Sequence, residues 1–453
     1  MFRSIKTLLI LSLIISCNDN QFQVDRGEIN KGIVYEVNVR QYSKEGTFKA
    51  VTNDIKKIKE LGVEILWLMP IHPIGKEKRK GGLGSYYSIS DYKGINPEFG
   101  DSEDLKELVE EAHANDMIVI MDWVANHTAW DHSWIYNNPD YYTKDNDGKI
   151  TDPINPYTGE SWGWTDVADL NFENSDMRSE MIDAMKYWIE EFDIDGYRCD
   201  AAHSCPVDFW KESINELRKV KNVFMLAESD PFNVGGFDLI NTFEMSYNWQ
   251  GHHILNEISI GHKSAKDLKD NINRDLSIYE DNHILLNFTS NHDENTWAGT
   301  VFDRMGDSYL TMSVLTYVMP GIPLLYNGQE YSLNKRLEFF EKDFIPKENT
   351  ELVKFYNKLG KIKRNNKALH FSKETKFDIK NSMDDDIFIL ERTLDNENVL
   401  FISNLSKKVK SINHDIDGNY ENLLNGKLIE LSSKQNLEFN SWDYLLLKKI
   451  DIK

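Results

Sequence analysis

The chain is poor in cysteine, in basic residues and in long apolar runs, and each shortage closes off a class of protein. Three cysteines occur in 453 residues, at 17, 199 and 205. The one close pair cannot form a disulfide framework, and no C-x-x-C spacing offers a zinc site. Lys and Arg total 52 against 74 Asp and Glu, a formal charge of −22. Phosphate binding needs a Lys/Arg field, so this deficit argues against a nucleic-acid partner. The N-terminal apolar run "TLLILSLIIS" has about ten residues, too short for a bilayer span of about twenty. No Gly-rich phosphate turn follows the first predicted strand, where "NVRQYSKEGTF" stands, which counts against a dinucleotide-binding open sheet. His127, His203 and His292 lack H-x-H or H-E-x-x-H spacing, which counts against metal-dependent hydrolysis.

What remains is a large, foldable chain with a distinct leader. Hydrophobic residues make up 40% and aromatics 12%, enough for one big domain with smaller attachments. Arg3 and Lys6 precede the apolar run, as in an export signal. The run closes in "LIISC", which resembles the lipobox of bacterial lipoproteins. That resemblance implies a signal peptide over 1–17, lipidation of Cys17 and a polar tether over 18–27. The expected location is outside the cytoplasm, with the chain lipid-anchored to a bacterial membrane, at the outer membrane or cell surface, and no other membrane contact.

Apolar runs then alternate with amphipathic stretches. Strands are predicted at 32–42, 63–70, 117–127, 194–202, 223–229, 237–245, 283–293 and 321–330, with helices such as 52–62, 101–116 and 177–192 between them. Eight apolar strands with helical crossovers imply parallel pairing with both faces covered, and eight strands close a (β/α)8 TIM barrel. The rhythm breaks over 128–175, rich in Trp and Pro, which reads as an inserted domain after strand three. The barrel therefore comprises 28–127 and 176–365. Short alternating runs joined by "DNEN" mark 366–453 as a C-terminal antiparallel β-sandwich domain.

Polar residues at the C-terminal ends of barrel strands line the site in such folds. Here they are Asp122, Asn126 and His127 after strand three, Arg198, Asp200 and His203 after strand four, Glu228 after strand five, and His292, Asp293 and Glu294 after strand seven. Each alone has a structural reading as a cap, a core histidine or a rim charge. A cluster of carboxylates at four strand ends is costly unless its members act together. Two carboxyl groups about 5 Å apart, one ionised and one protonated, are the equipment of a retaining glycosidase. Arg198, two residues before Asp200, favours the ionised form there and makes Asp200 the nucleophile candidate. Glu228 becomes the acid/base, expected farther from cations and with a raised pKa.

The segments "DWVANH" (122–127), "GYRCDAAH" (196–203), "LAES" (226–229) and "FTSNHDENTW" (288–297) resemble, in order and spacing, the four signature segments of the α-amylase family, glycoside hydrolase family 13. "VADLN" (167–171) and "GIPLLYNGQE" (321–330) are similar to two further family segments. The resemblance implies cleavage of α-1,4 bonds in starch or malto-oligosaccharides, with Asp200, Glu228 and Asp293 catalytic. It places Tyr87 beneath the bound sugar and His127, Arg198 and His292 around it. His203 and Ser204 stand where the family often has Lys then His, so binding of the leaving sugars is altered. Asn126 and Asp169 match ligands of a structural calcium ion, Ca2+, and oxygen donors suit that ion. Alternatives within the family are an α-glucosidase and a glucan transglycosylase; outside it stands a noncatalytic glycan-binding protein, which retention of all three carboxylates opposes. Exo or endo action resides in loop shape, and oligomeric state has no signature in the sequence.

Overall fold

The computed structural model describes residues 27–450 apart from 156, 157, 234, 281 and 349. The lipobox reading at Cys17 lies outside the described residues.

Eight parallel strands close on themselves in chain order: β1 (Ile33–Val37), β2 (Val63–Leu68), β3 (Ile118–Trp123), β4 (Gly196–Cys199), β5 (Phe224–Ala227), β6 (Met245–Tyr247), β7 (Ile284–Asn287) and β8 (Ile322–Tyr326). Closure runs through β1 and β8, with Val34 opposite Leu324. Alternation along each strand separates two cores. Val34, Ile65, Trp67, Ile120, Leu226, Met245, Leu286 and Leu324 belong to one cluster inside the barrel. Tyr35, Leu66, Val119, Met121, Tyr197 and Met225 belong to another, packed against the helices. Gly196 opens β4 where strands come closest: a Cβ there would lie 1.8 Å from the Phe224 carbonyl oxygen.

Two predicted strands change character. β1 stops at Val37 and the chain turns into a helical segment, Val39–Tyr42, that buries Arg40. The sixth strand is not 237–245: Gly236–Ile240 is helical, and only Met245–Tyr247 pairs in the barrel. Gly235, at φ 68°, starts that helical turn with Asp238 in its first turn, and Leu239 and Ile240 are buried from a helix rather than from a strand.

After β3 the chain enters a short antiparallel ribbon, His127–Ala129 with Val167–Asp169. This ribbon is the base of the excursion that reads as an insertion. At the other end of the chain, six strands form an antiparallel sheet in the order Lys376–Ile379, Ile387–Leu394, Glu397–Asn404, Tyr444–Ile450, Gly418–Asn422, Leu428–Leu431. Its alternation serves two neighbours. Phe388, Leu390, Val399 and Phe401 join the large cluster of the barrel exterior. Ile387, Ile389, Leu400 and Ile402 face a small core with Ile412 and Phe439 from a second, two-stranded sheet.

Candidate active site

The inward parity of four strands builds the site. Val34 faces the barrel interior, so Glu36 follows it on β1; Ile120 is followed by Asp122 on β3; Leu226 is followed by Glu228 beyond β5. On β4 the same step of two brings Arg198 and then Asp200 to the axis. Asp122 and Arg198 are direct register partners across β3 and β4. An apolar barrel thus ends in a buried charged layer.

Arg198 is its centre, with no exposed surface. Its Nη1 donates to Asp122 Oδ1 at 2.9 Å and to Asp200 Oδ1 at 2.7 Å. Its Nη2 lies 2.8 Å from Glu228 Oε2, and its Nε donates to the Tyr247 hydroxyl at 3.3 Å. Three carboxylates around one guanidinium leave negative charge in excess, so the cluster retains protons. Burial drives the Asp200 carboxyl well above the usual range; Arg198 opposes the rise, while Glu228 and Asp122 add to it. Burial raises Asp122 as well.

Glu228 goes the other way. Burial pushes its carboxyl up, but Arg198, the Ala201 N–H and His292 outweigh it and hold Glu228 below its ordinary value. Ala201 N donates to Glu228 Oε2 at 2.8 Å. Ala201 sits at φ 40°, a left-handed conformation that is strained for a residue with a Cβ and that turns its N–H toward Glu228. The expectation that Glu228 stands farther from cations and holds the raised pKa is therefore corrected. Glu228 Oε2 accepts from the Ala201 N–H and forms an ion pair with Arg198 Nη2.

A second chain of contacts holds the far wall. His292 Nδ1 is 2.6 Å from Glu36 Oε1 and its Nε2 is 2.7 Å from the Tyr87 hydroxyl. Burial disfavours an imidazolium here, yet Asp293 and Glu36 outweigh that and raise His292 to about 9. Both ring nitrogens therefore donate at neutral pH. Tyr87 in turn donates to Asp122 Oδ2 at 3.2 Å, as does Trp67 Nε1. Asp293 stands at the mouth, 37% exposed, with Oδ2 3.3 Å from His292 Nε2. Burial lowers His127 to about 4; the neutral ring donates from Nε2 to the Tyr87 carbonyl at 3.1 Å and accepts at Nδ1 from Asn126.

Asp200, Glu228, Asp293, Tyr87, His127, Arg198 and His292 thus belong to one connected set. His203 and Ser204 occupy the turn after Ala201, each with a buried polar atom that has no hydrogen-bond partner among the described residues, His203 Nδ1 and Ser204 Oγ. Glu294 turns away to His252 and Arg304. Asn126 and Asp169 meet at the base of the inserted ribbon, where Leu170 N donates to Asn126 O at 3.1 Å. Burial raises Asp169 to about 7, and among the described residues it makes no salt bridge. Asp169 and Asn126 offer one carboxylate and one amide, oxygen donors of the type calcium takes, and no cluster of three or more His, Cys, Asp or Glu groups suited to a metal occurs among the described residues. Glu36, Trp67 and Tyr247 escape sequence reasoning because each sits inside an apolar strand. The available signal for Glu36 is its parity with Val34.

A family model described as "Alpha amylase, catalytic domain" matches residues 19–376. The chain belongs to the alpha-amylase family. It is 27% identical over 425 residues to Alpha-amylase 2 of Dictyoglomus thermophilum, covering 89% of this chain and 71% of that protein. It is also similar to a 4-alpha-glucanotransferase of Thermotoga neapolitana, 26% identical, with 71% of this chain and 74% of that protein covered. Among solved structures, an alpha-amylase from Lactobacillus plantarum superposes with a TM-score of 0.83 at 29% identity over 93% of this chain and 100% of its own. An amylase site therefore crowns this barrel.

Proposed function

We propose that the protein hydrolyses α-1,4 bonds of starch or malto-oligosaccharides with retention of configuration. The observation that carries this is the Arg198 guanidinium bridging Asp200 and Glu228 at 2.7 and 2.8 Å. One guanidinium spanning both groups supports the close spacing, about 5 Å, that a retaining pair needs. A sugar ring rests on Tyr87, with His127, His292 and Asp293 around its hydroxyls. Entry of the glycosidic oxygen draws Glu228 from Arg198 and Ala201, so that Glu228 takes up a proton while Asp200 gives one up and becomes ionised. Ionised Asp200 then attacks the anomeric carbon as Glu228 protonates the departing oxygen, and the C–O bond breaks. Water, losing its proton to Glu228, attacks the same carbon and frees Asp200. Asp293 stabilises the distorted ring. His203 and Ser204 face the leaving sugars.

Similarity to a 4-alpha-glucanotransferase supports a second outcome, in which a sugar hydroxyl replaces water as acceptor. Maltoheptaose digestion followed by proton NMR tests both. Shorter products released as the α anomer are expected; β anomer as first product overturns the retaining reading, and oligomers longer than the substrate favour transfer. Asn126 and Asp169 would hold a calcium ion that ties the inserted ribbon to the barrel and takes no part in bond cleavage. The sequence "LIISC" supports export with a lipid on Cys17; fatty-acid labelling that persists in Cys17→Ser overturns it.

A further inference from the structure

A cleft of about 340 Å³ opens beside the base of the insertion, within the range of about 300–1,000 Å³ that small-ligand sites occupy. It shares no lining residue with the site around Arg198. Tyr92, His132 and Trp134 form its floor, and the helix Ser175–Phe192 walls it at Ala184. Tyr92 is fixed from behind, its hydroxyl 2.8 and 2.9 Å from the carbonyl oxygens of Val124 and His127. His132 and Trp134 are 3% and 9% exposed, with their rings edge to face and centroids 4.7 Å apart. His132 Nδ1 accepts from Trp134 N at 3.2 Å, which places the ring proton on Nε2. Neither that Nε2–H nor the Trp134 indole N–H has a hydrogen-bond partner among the described residues. Two donors on side chains more than nine-tenths buried are therefore left for a ligand that accepts.

The rim has the opposite character. Asp91, Glu180 and Asp183 bring carboxylate acceptors, against the one ammonium of Lys93, whose Nζ stands 5.7 Å from the centre of the Tyr187 ring. A cationic ligand would suit this rim but could not accept from the floor. An anion would suit the floor and be repelled by the rim. A hydroxyl both donates and accepts, and a pyranose carries several of them around apolar C–H faces. We propose that this cleft is a second sugar site, which holds a glucosyl unit of a soluble oligosaccharide between the His132 and Trp134 N–H groups and the Asp91, Glu180 and Asp183 carboxylates, apart from the site that cleaves. The choice of a glucosyl unit rests on the α-glucan reading; the need for a hydroxyl-rich ligand does not.

The test uses the full chain carrying Asp200→Asn, labelled with 5-fluorotryptophan, so that maltotriose is bound without being consumed. Fluorine NMR follows each indole, with the Trp134 resonance assigned through Trp134→Phe. Maltotriose is expected to shift that resonance saturably. Glu180→Gln combined with Asp183→Asn, both exposed on one helix, should weaken the titration about tenfold or more. A Trp134 resonance that stays fixed, or one that titrates equally with and without these two carboxylates, overturns the site. A shift produced by spermidine and not by maltotriose overturns it too, in favour of a cation. The Trp67 resonance reports the barrel mouth separately: if it stays still while Trp134 responds, the α-glucan reading of the mouth loses support and the second site stands.

Discussion

Arg198 and Arg392 are both enclosed by protein, one at the mouth of the barrel and one where the C-terminal sheet meets it. Around Arg198 stand Asp122, Asp200 and Glu228, and although burial works against its charge, Asp122 and Glu228, with Tyr247 and Tyr87, lift its pKa well above the ordinary value. Arg392, on strand Ile387–Leu394, has no carboxylate partner among the described residues: Nη1 donates to Val318 O and Met319 O at 3.0 and 3.1 Å, Nη2 to His370 O at 2.9 Å, and the guanidinium lies 4.8 Å from the centre of the Phe377 ring. Burial pulls it down to about 9. Lys363, also buried, donates to Leu369 O and is lowered further by burial and by Arg392. Carboxylates surround the cation whose charge the chemistry uses. Carbonyls surround the cation that fixes one body against another.

Substitutions can break this contrast. Asp200→Asn is expected to reduce maltoheptaose turnover on the order of 10⁴-fold or more, with no loss of melting temperature, because it removes a buried carboxyl from a site with excess negative charge. Substantial residual turnover would sink the nucleophile assignment. Arg392→Met should do the reverse, leaving kcat near native while lowering stability by about 2–4 kcal/mol in denaturant titration, through loss of charged hydrogen bonds to three carbonyls. A large fall in kcat with unchanged stability would erase the distinction between the two arginines.

Glu36→Gln probes the same layer more gently. His292 is raised above its unfolded value of 6.5 to about 9, so its contribution to stability is complete below pH 6.5 and lost as pH rises through 9. Without Glu36 that loss begins nearer neutrality. The alkaline limb of kcat/KM should move down by roughly one pH unit or more. Smallest is the effect of EDTA: a melting temperature lowered by a few degrees and restored by calcium, more clearly at pH 8 than at pH 6. Asp169 is raised to about 7, so its protonated form stabilises the fold at low pH and that stabilisation fades as pH rises through 7. An unchanged melting temperature at both pH values excludes an ion at Asn126 and Asp169.

Sequence patterning reaches a long way here because the barrel's interior and exterior both demand apolar residues, so each strand announces itself as a run. The sixth is the exception: Phe237, Leu239 and Ile240 form a stretch too short for its period to separate helix from strand. The charged mouth is legible where polarity interrupts a run, as at Arg198 and Glu228. It is illegible where one polar group hides inside a run, as at Glu36, or where an apolar residue contributes only its Tyr hydroxyl or Trp N–H, as at Tyr247 and Trp67. The backbone N–H that Glu228 accepts lies beyond any pattern, since it depends on the left-handed turn at Ala201.

The Arg392 clamp bears on how separable this protein is. Its acceptors Val318 and Met319 end the helix Tyr309–Val318 that leads into β8, and Thr311 on that helix donates to the Trp442 carbonyl. The barrel's last crossover is therefore finished by residues made after it. A chain truncated after 365 would emerge with those carbonyls unmet and with the surface that receives Phe388 and Phe401 bare, a recipe for insoluble aggregates rather than a minimal enzyme. Any swap of the C-terminal sheet between relatives has to carry an arginine at this position or rebuild the helix end that it closes.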